Sequence, residues 1–96
     1  MDSIMQDEKY CYLCDCNGNK DALEIHHIFF GTANRKLSEK YGLKVWLCGE
    51  HCHRNGKYAV HRNRKTDLKL KREAQEKFEE THTREEFIQI FGKNYL

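Results

Sequence analysis

The chain contains no proline and one tryptophan, and it has no internal repeat and no low-complexity tract. Without proline, its turns have to be made by glycine and asparagine, as at Asn17-Gly18-Asn19. No apolar run approaches the roughly 18 residues of a membrane-spanning helix, which removes that class of protein and any membrane partner from consideration. Met1 to Lys9 are acidic and polar. That is not the pattern of a secretory signal, and the segment reads as a flexible N-terminal arm, residues 1–9. Excess charge is also lacking, with a net charge of +2, so overall charge argues only weakly for a nucleic-acid partner.

What is present fits a small folded domain over residues 10–96. Hydrophobic residues make up 39% of the chain and charged ones 33%, a balance outside the disordered range. A chain of 96 residues buries a modest core, so a metal staple is a natural supplement. The expected setting is a reducing cytoplasm. There, five cysteines with Cys-x2-Cys-type spacing point to metal rather than disulfides.

The periodicities predict an α+β fold. Leu23 to Phe30 is rich in β-branched and aromatic residues and reads as a strand, and Lys44 to Cys48 reads as a second around Val45-Trp46-Leu47. Between them Thr32 can cap a short helix that Gly42 ends. Gly49 to Lys57 reads as a ligand-rich turn, and Tyr58 to His61 as a short extended piece. Two C-terminal helices follow. Thr66 or Asp67 can cap the first, whose Leu70, Ala74 and Phe78 form one apolar stripe. Thr83-Arg84-Glu85-Glu86 is a capping box for the second, and Gly92 sits where a C-terminal glycine cap belongs.

Cys11-x2-Cys14 places two thiolates on one tight turn, the bite a tetrahedral Zn²⁺ needs. A second ligand group begins at Cys48 and continues with either His51 or Cys52. The commoner two-residue gap selects His51, giving a structural site of Cys11, Cys14, Cys48 and His51, with Cys52 as the alternative fourth ligand. Cys16 is left as a free thiol.

Between the two halves of this clamp lies His26-His27. On a regular strand Glu24, His26, Ile28 and Phe30 share one face, and Leu23, Ile25, His27 and Phe29 share the other. The pair should therefore point apart, and taken alone it reads as one buried, hydrogen-bonded histidine and one exposed one. Downstream, Arg54 to Arg72 is basic, with Asp67 its single acid. Such a run is usually a solvated face. Because it directly follows the ligand cluster, Arg62, Arg64, Lys65 and Lys69 are also candidates for phosphate contact.

Taken together, the Cys-x2-Cys knuckle, the strand ending in a His pair, the variable loop and Leu47-Cys48-x2-His51 entering a basic segment resemble an HNH endonuclease. More narrowly, His26-His27-Ile28-Phe29, Asn34-Arg35-Lys36-x-Ser38-Glu39-Lys40-Tyr41-Gly42, Val60-His61 and Leu68-Lys69-x-Lys71 are similar to the RecA-dependent, recombination-enhancement nucleases of phages and prophages. The resemblance spans residues 10–96. It implies a zinc-stapled ββα-metal (His-Me) finger followed by two helices. It also implies a metal-dependent DNA endonuclease, acting in a bacterial host cytoplasm and with a recombinase filament as partner. By position it makes His27 the general base and His26 a ligand of a catalytic Mg²⁺ or Mn²⁺. His61 is the expected second ligand of that ion, with His53 the alternative, and Arg35 joins the DNA contacts.

Two positions depart from the superfamily pattern. Leu43 and Lys44 stand where its middle asparagine is expected, with Asn34 as a candidate substitute. Cys52 stands where a histidine is common, and a thiol there is softer and better suited to zinc. The alternative to the enzyme is a non-catalytic zinc-binding module that holds nucleic acid or a protein partner.

Overall fold

A computed structural model describes residues 1–96. The two expected strands form, as β1 (Leu23–His27) and β2 (Lys44–Cys48), and pair antiparallel with Leu23 opposite Cys48 and His27 opposite Lys44. β1 ends at His27, short of the expected Phe30. The hydroxyl of Ser38 captures both backbone groups of Phe29, accepting its N–H at 3.0 Å and donating to its carbonyl at 2.8 Å. With both groups taken, Phe29 cannot continue the ladder, and the chain turns.

Helix α1 (Thr32–Tyr41) fills the connection between the strands. Thr32 is its first helical residue rather than its cap. Gly31 takes the cap position at φ +91°, a conformation suited to glycine. Gly42 closes α1 in the left-handed conformation, as expected.

After β2 comes a π-helical turn, Gly49–Arg54. The next stretch differs from its expected extended form. Residues 57–62 turn back so that Val60 N–H donates to the Cys52 carbonyl and His61 N–H to that of His53, at 2.8 and 3.2 Å. Gly56 permits this reversal, because a Cβ there would collide with the His51 backbone.

Helix α2 (Arg64–Phe78) starts earlier than Thr66 or Asp67 would place it. Asn63 is extended and its side chain accepts the Thr66 N–H at 3.1 Å, a better-placed cap. The predicted stripe of Leu70, Ala74 and Phe78 is buried. Helix α3 (Arg84–Phe91) has the predicted Thr83–Glu86 capping box and ends at left-handed Gly92. Phe29, Phe87 and Phe91 meet with ring centroids 4.5–5.4 Å apart, which ties the end of β1 to α3. Buried Gln75 donates to Glu79 and Asn94 and accepts the Tyr95 N–H, each at 2.8 Å, so the C-terminal segment is fastened to α2.

The flexible arm expected for residues 1–9 is instead folded against β2. Gln6 is buried and its Oε1 accepts the Trp46 N–H at 2.8 Å, while its amide donates to the Tyr10 carbonyl. Ile4 N–H donates to the Gly42 carbonyl and Ser3 Oγ to that of Lys44. A two-stranded sheet leaves an edge of unpaired groups, and this segment covers it.

Gly42 and Gly92 provide an internal comparison. Both have positive φ, but a Cβ on Gly92 meets nothing, whereas one on Gly42 collides with the Asp2 carbonyl. Gly92→Ala should lower stability by about 1 kcal/mol and Gly42→Ala by about 3 kcal/mol, measured by urea denaturation. Equal losses would show that the N-terminal segment does not pack over Gly42.

Candidate metal centres and active site

The fold gathers the cysteines and histidines into two separate clusters. In the first, one ligand atom from each of Cys11, Cys14, Cys48 and Cys52 lies within 4.8 Å of all the others. Cys11 and Cys14 sit on a knuckle closed by Cys11 N–H to the Cys16 carbonyl and Asp15 N–H to the Cys11 carbonyl, both 2.8 Å. The Cys48 N–H points at Cys11 Sγ, 3.4 Å away. Thiolates on a tetrahedral zinc at about 2.3 Å lie roughly 3.8 Å apart, and Cys14 Sγ and Cys48 Sγ are separated by 3.5 Å.

The electrostatics fit a cation here. Burial, with the neighbouring thiols next, pushes Cys48 up to about 12 and Cys52 higher still. Burial also raises Cys14, but hydrogen bonds from Cys16, Cys11 and Cys48 outweigh it and bring Cys14 down to about 7. Four crowded thiols cannot all ionise without a compensating positive charge, which a bound cation would supply. All five cysteines are free thiols, and Cys16 lies outside the cluster.

His51, expected as fourth ligand, is not in the cluster; Cys52, the alternative, is. The cause is the π-helical turn. Asp21 accepts the N–H groups of both Glu50 and His51, at 3.0 and 2.9 Å, and fixes the start of the turn. His51 is left exposed while Cys52, four residues after Cys48, returns to the buried side.

The second cluster is His26, His53 and His61, whose ligand atoms also lie within 4.8 Å of one another. The sequence weighed His61 against His53; the fold brings in both. His26 is 2% exposed, and its Nε2 is buried with no hydrogen-bond partner. Burial and then the neighbouring His53 and His61 push its pKa down to about 3, so the ring is neutral with a nitrogen to offer. His61 is lowered too, by burial first and then by His53. His53 Nδ1 is held by Glu24 Oε1 at 2.8 Å, which leaves its Nε2 3.1 Å from His61 Nε2. Two nitrogens about 2.1 Å from one ion and at roughly a right angle lie about 3 Å apart. The three imidazoles therefore fit one metal ion, with Glu24 orienting His53 from behind.

Glu24 was not among the residues singled out for chemistry. The signal was available, since strand alternation puts Glu24 on the same face as His26. Glu24 also pairs with Arg54, and its carboxyl is held below the usual range by His53 first and then Arg54.

His27 points away from His26, as the alternation requires. Its Nε2 lies 2.9 Å from Glu39 Oε1, and Glu39 Oε2 takes the Lys44 ammonium at 2.6 Å and the Met1 amino group at 3.2 Å. Lys44 first, then His27, hold the Glu39 carboxyl down at about 2. A cavity of about 730 Å³ opens here, lined by His27, Gly31, Thr32, Arg35, Lys36 and Glu39. Arg35 is thus beside His27. Along the basic stretch, Arg62 donates to the Asn55 carbonyl at 2.9 Å and Lys69 faces Glu73 at 3.8 Å, while Arg64 and Lys65 stand exposed on the first turn of α2. Asn34 makes no side-chain hydrogen bond; the residue that locks the loop before α1 is Ser38.

Two outcomes follow. The protein should carry about one equivalent of tightly held zinc, as a closed tetrahedral site does; Cys52→Ala should lose it and His51→Ala should keep it, by elemental analysis. Zinc loss from the His51 variant alone would reverse the ligand assignment. Glu24→Gln should weaken divalent-ion binding at the imidazole cluster of zinc-loaded protein about 10–100-fold, measured by calorimetric titration with Co²⁺, and unchanged affinity would remove its orienting role. Comparison of the chain with protein-family models, curated proteins and solved structures produced no match.

Proposed function

We propose that this chain is a metal-dependent DNA endonuclease of the HNH type, with β1, β2 and the segment running into α2 forming a ββα-metal finger. The observation that carries the reading is the convergence of His26, His53 and His61 on one site. His26 joins this cluster with a buried, unpartnered nitrogen, while His27 lines a basic cavity on the other side of the strand. The resemblance in the sequence supplies the class of substrate.

His26, His53 and His61 would hold the ion. When bound, a divalent ion there stabilises charge developing on the scissile phosphate and on the leaving oxygen. Imidazole donors suit Zn²⁺, Co²⁺ or Ni²⁺ better than Mg²⁺ or Mn²⁺, so those ions should bind the cluster more tightly. By the resemblance, His27 would accept a proton from the attacking water as the water oxygen bonds to phosphorus. The bond from phosphorus to the leaving oxygen breaks, that oxygen is protonated by solvent, and His27 returns its proton to solvent. Arg35 and Lys36, which line the His27 cavity, and separately Arg62, Arg64, Lys65 and Lys69, just before and within α2, are the candidate contacts to the phosphate backbone. Such contacts position the duplex without selecting sequence. The same resemblance supports a recombinase filament as partner in phage or prophage DNA metabolism, and the clamp of four cysteines supports zinc as the structural ion.

His27→Ala should reduce nicking of supercoiled plasmid by about 10²–10⁴, with zinc content, fold and DNA binding retained. The assay is run with Mg²⁺, Mn²⁺, Co²⁺ and Ni²⁺, with and without recombinase filaments. Normal cutting by His27→Ala and none by His26→Ala would exchange the two roles. A wild-type protein that binds DNA and zinc but never cuts would leave a non-catalytic zinc-binding module.

A further inference from the structure

We propose that Glu39 is a positioning residue for His27, whose carboxylate accepts the Nε2–H and so leaves Nδ1 as the acceptor nitrogen of the ring. For catalysis this rests on the nuclease reading; for the state of the ring it does not.

The placement of Glu39 is over-determined. His27 and Lys44 are directly opposed in the ladder, the relation that brings side chains of neighbouring strands together. The carboxylate bridges this pair, with Oε1 on His27 Nε2 at 2.9 Å and Oε2 on Lys44 Nζ at 2.6 Å. Its backbone is equally constrained. The preceding residue, Ser38, is buried and bonded to both backbone groups of Phe29, two residues beyond His27 on the same chain segment. Any shift of α1 along the strand end would break these bonds together.

The other ring nitrogen is free. His27 Nδ1 has no hydrogen-bond partner, and it is not sealed from solvent as His26 Nε2 is. His27 and Glu39 line the same cavity as Arg35 and Lys36. His27 thus lines a space flanked by cations suited to phosphate, with a carboxylate held against one of its ring nitrogens. A carboxylate so placed fixes the tautomer and stabilises the imidazolium once it forms. Stability does not account for the arrangement. The Glu39 side chain is 45% exposed, and ion pairs of that exposure contribute little to folding.

The test uses zinc-loaded protein labelled with ¹⁵N-histidine, and Glu39→Ala and Glu39→Gln variants. Long-range ¹H–¹⁵N spectra recorded at about pH 8, above the ordinary histidine range, report which ring nitrogen carries the proton. Wild-type His27 should be a single Nε2–H tautomer, and Glu39→Ala should show a mixture. In nicking assays both variants should lose kcat by about tenfold or more while KM and divalent-ion affinity hold. The loss should vanish in a His27→Ala background, since groups acting as a unit are not additive. An Nδ1–H tautomer in the wild type, or an unchanged tautomer in Glu39→Ala, overturns the proposal whatever the activity. A change confined to KM overturns the catalytic part. If no protein cuts DNA but the tautomer shifts as stated, the positioning stands and the nuclease reading alone falls.

Discussion

The adjacency of Cys52 and His53 on one π-helical turn is the constraint on which the rest of the site depends. Cys52 turns into the thiol cluster and His53 into the imidazole cluster. Any interaction that fixes the first therefore fixes the second. A regular α-helical turn closes one residue sooner, and π-turns occur often where a side chain has to be re-aimed for function. The following loop then pairs with this turn, Val60 with Cys52 and His61 with His53, which delivers the third imidazole opposite the second. A metal at the four thiols would fasten Cys11 and Cys14 to Cys48 and Cys52, and through them the scaffold of the imidazoles. Binding energy at such a closed site is folding energy.

Around these clusters the polar groups that matter most are carboxylates and hydroxyls reaching across elements. Asp21 holds the start of the π-helical turn, Glu24 orients His53, and Ser38 pins the end of β1 to α1. Glu24 and Glu39 stand behind imidazoles on opposite faces of one strand. Each engages one nitrogen of its ring and leaves the other free of a carboxylate. The aromatic contacts of Phe29 with α3 supply the rigid backing, because they secure the chain immediately after the His pair. A small domain with few layers needs such ties, since its core alone buries little.

Much of this could be read from the residues. The apolar stripe of α2, the Thr83–Glu86 capping box and the Val45-Trp46-Leu47 strand depend on local pattern and appear where that pattern puts them. The opposed directions of His26 and His27 followed from strand alternation alone. What could not be read depends on contacts between distant segments. No local pattern distinguishes a π-helical turn from a two-residue ligand gap, so His51 stood in for Cys52. Residues 1–9 carry no strong periodicity, and their order comes from Gln6 completing the edge of β2. Tyr58 to His61 looks extended by composition, but Gly56 lets the chain reverse. Glu39 approaches His27 from another element, which spacing cannot reveal.

The central claim is that two different ions occupy two neighbouring sites, a structural one held by thiols and a hydrolytic one held by imidazoles. The most direct measurement is anomalous X-ray scattering from crystals of protein holding one equivalent of zinc and soaked in Co²⁺, with data collected at the absorption edges of both metals. The account predicts a zinc peak among Cys11, Cys14, Cys48 and Cys52 and a separate cobalt peak among His26, His53 and His61. A single peak, or zinc held by His51 with the imidazole cluster left empty, would contradict it.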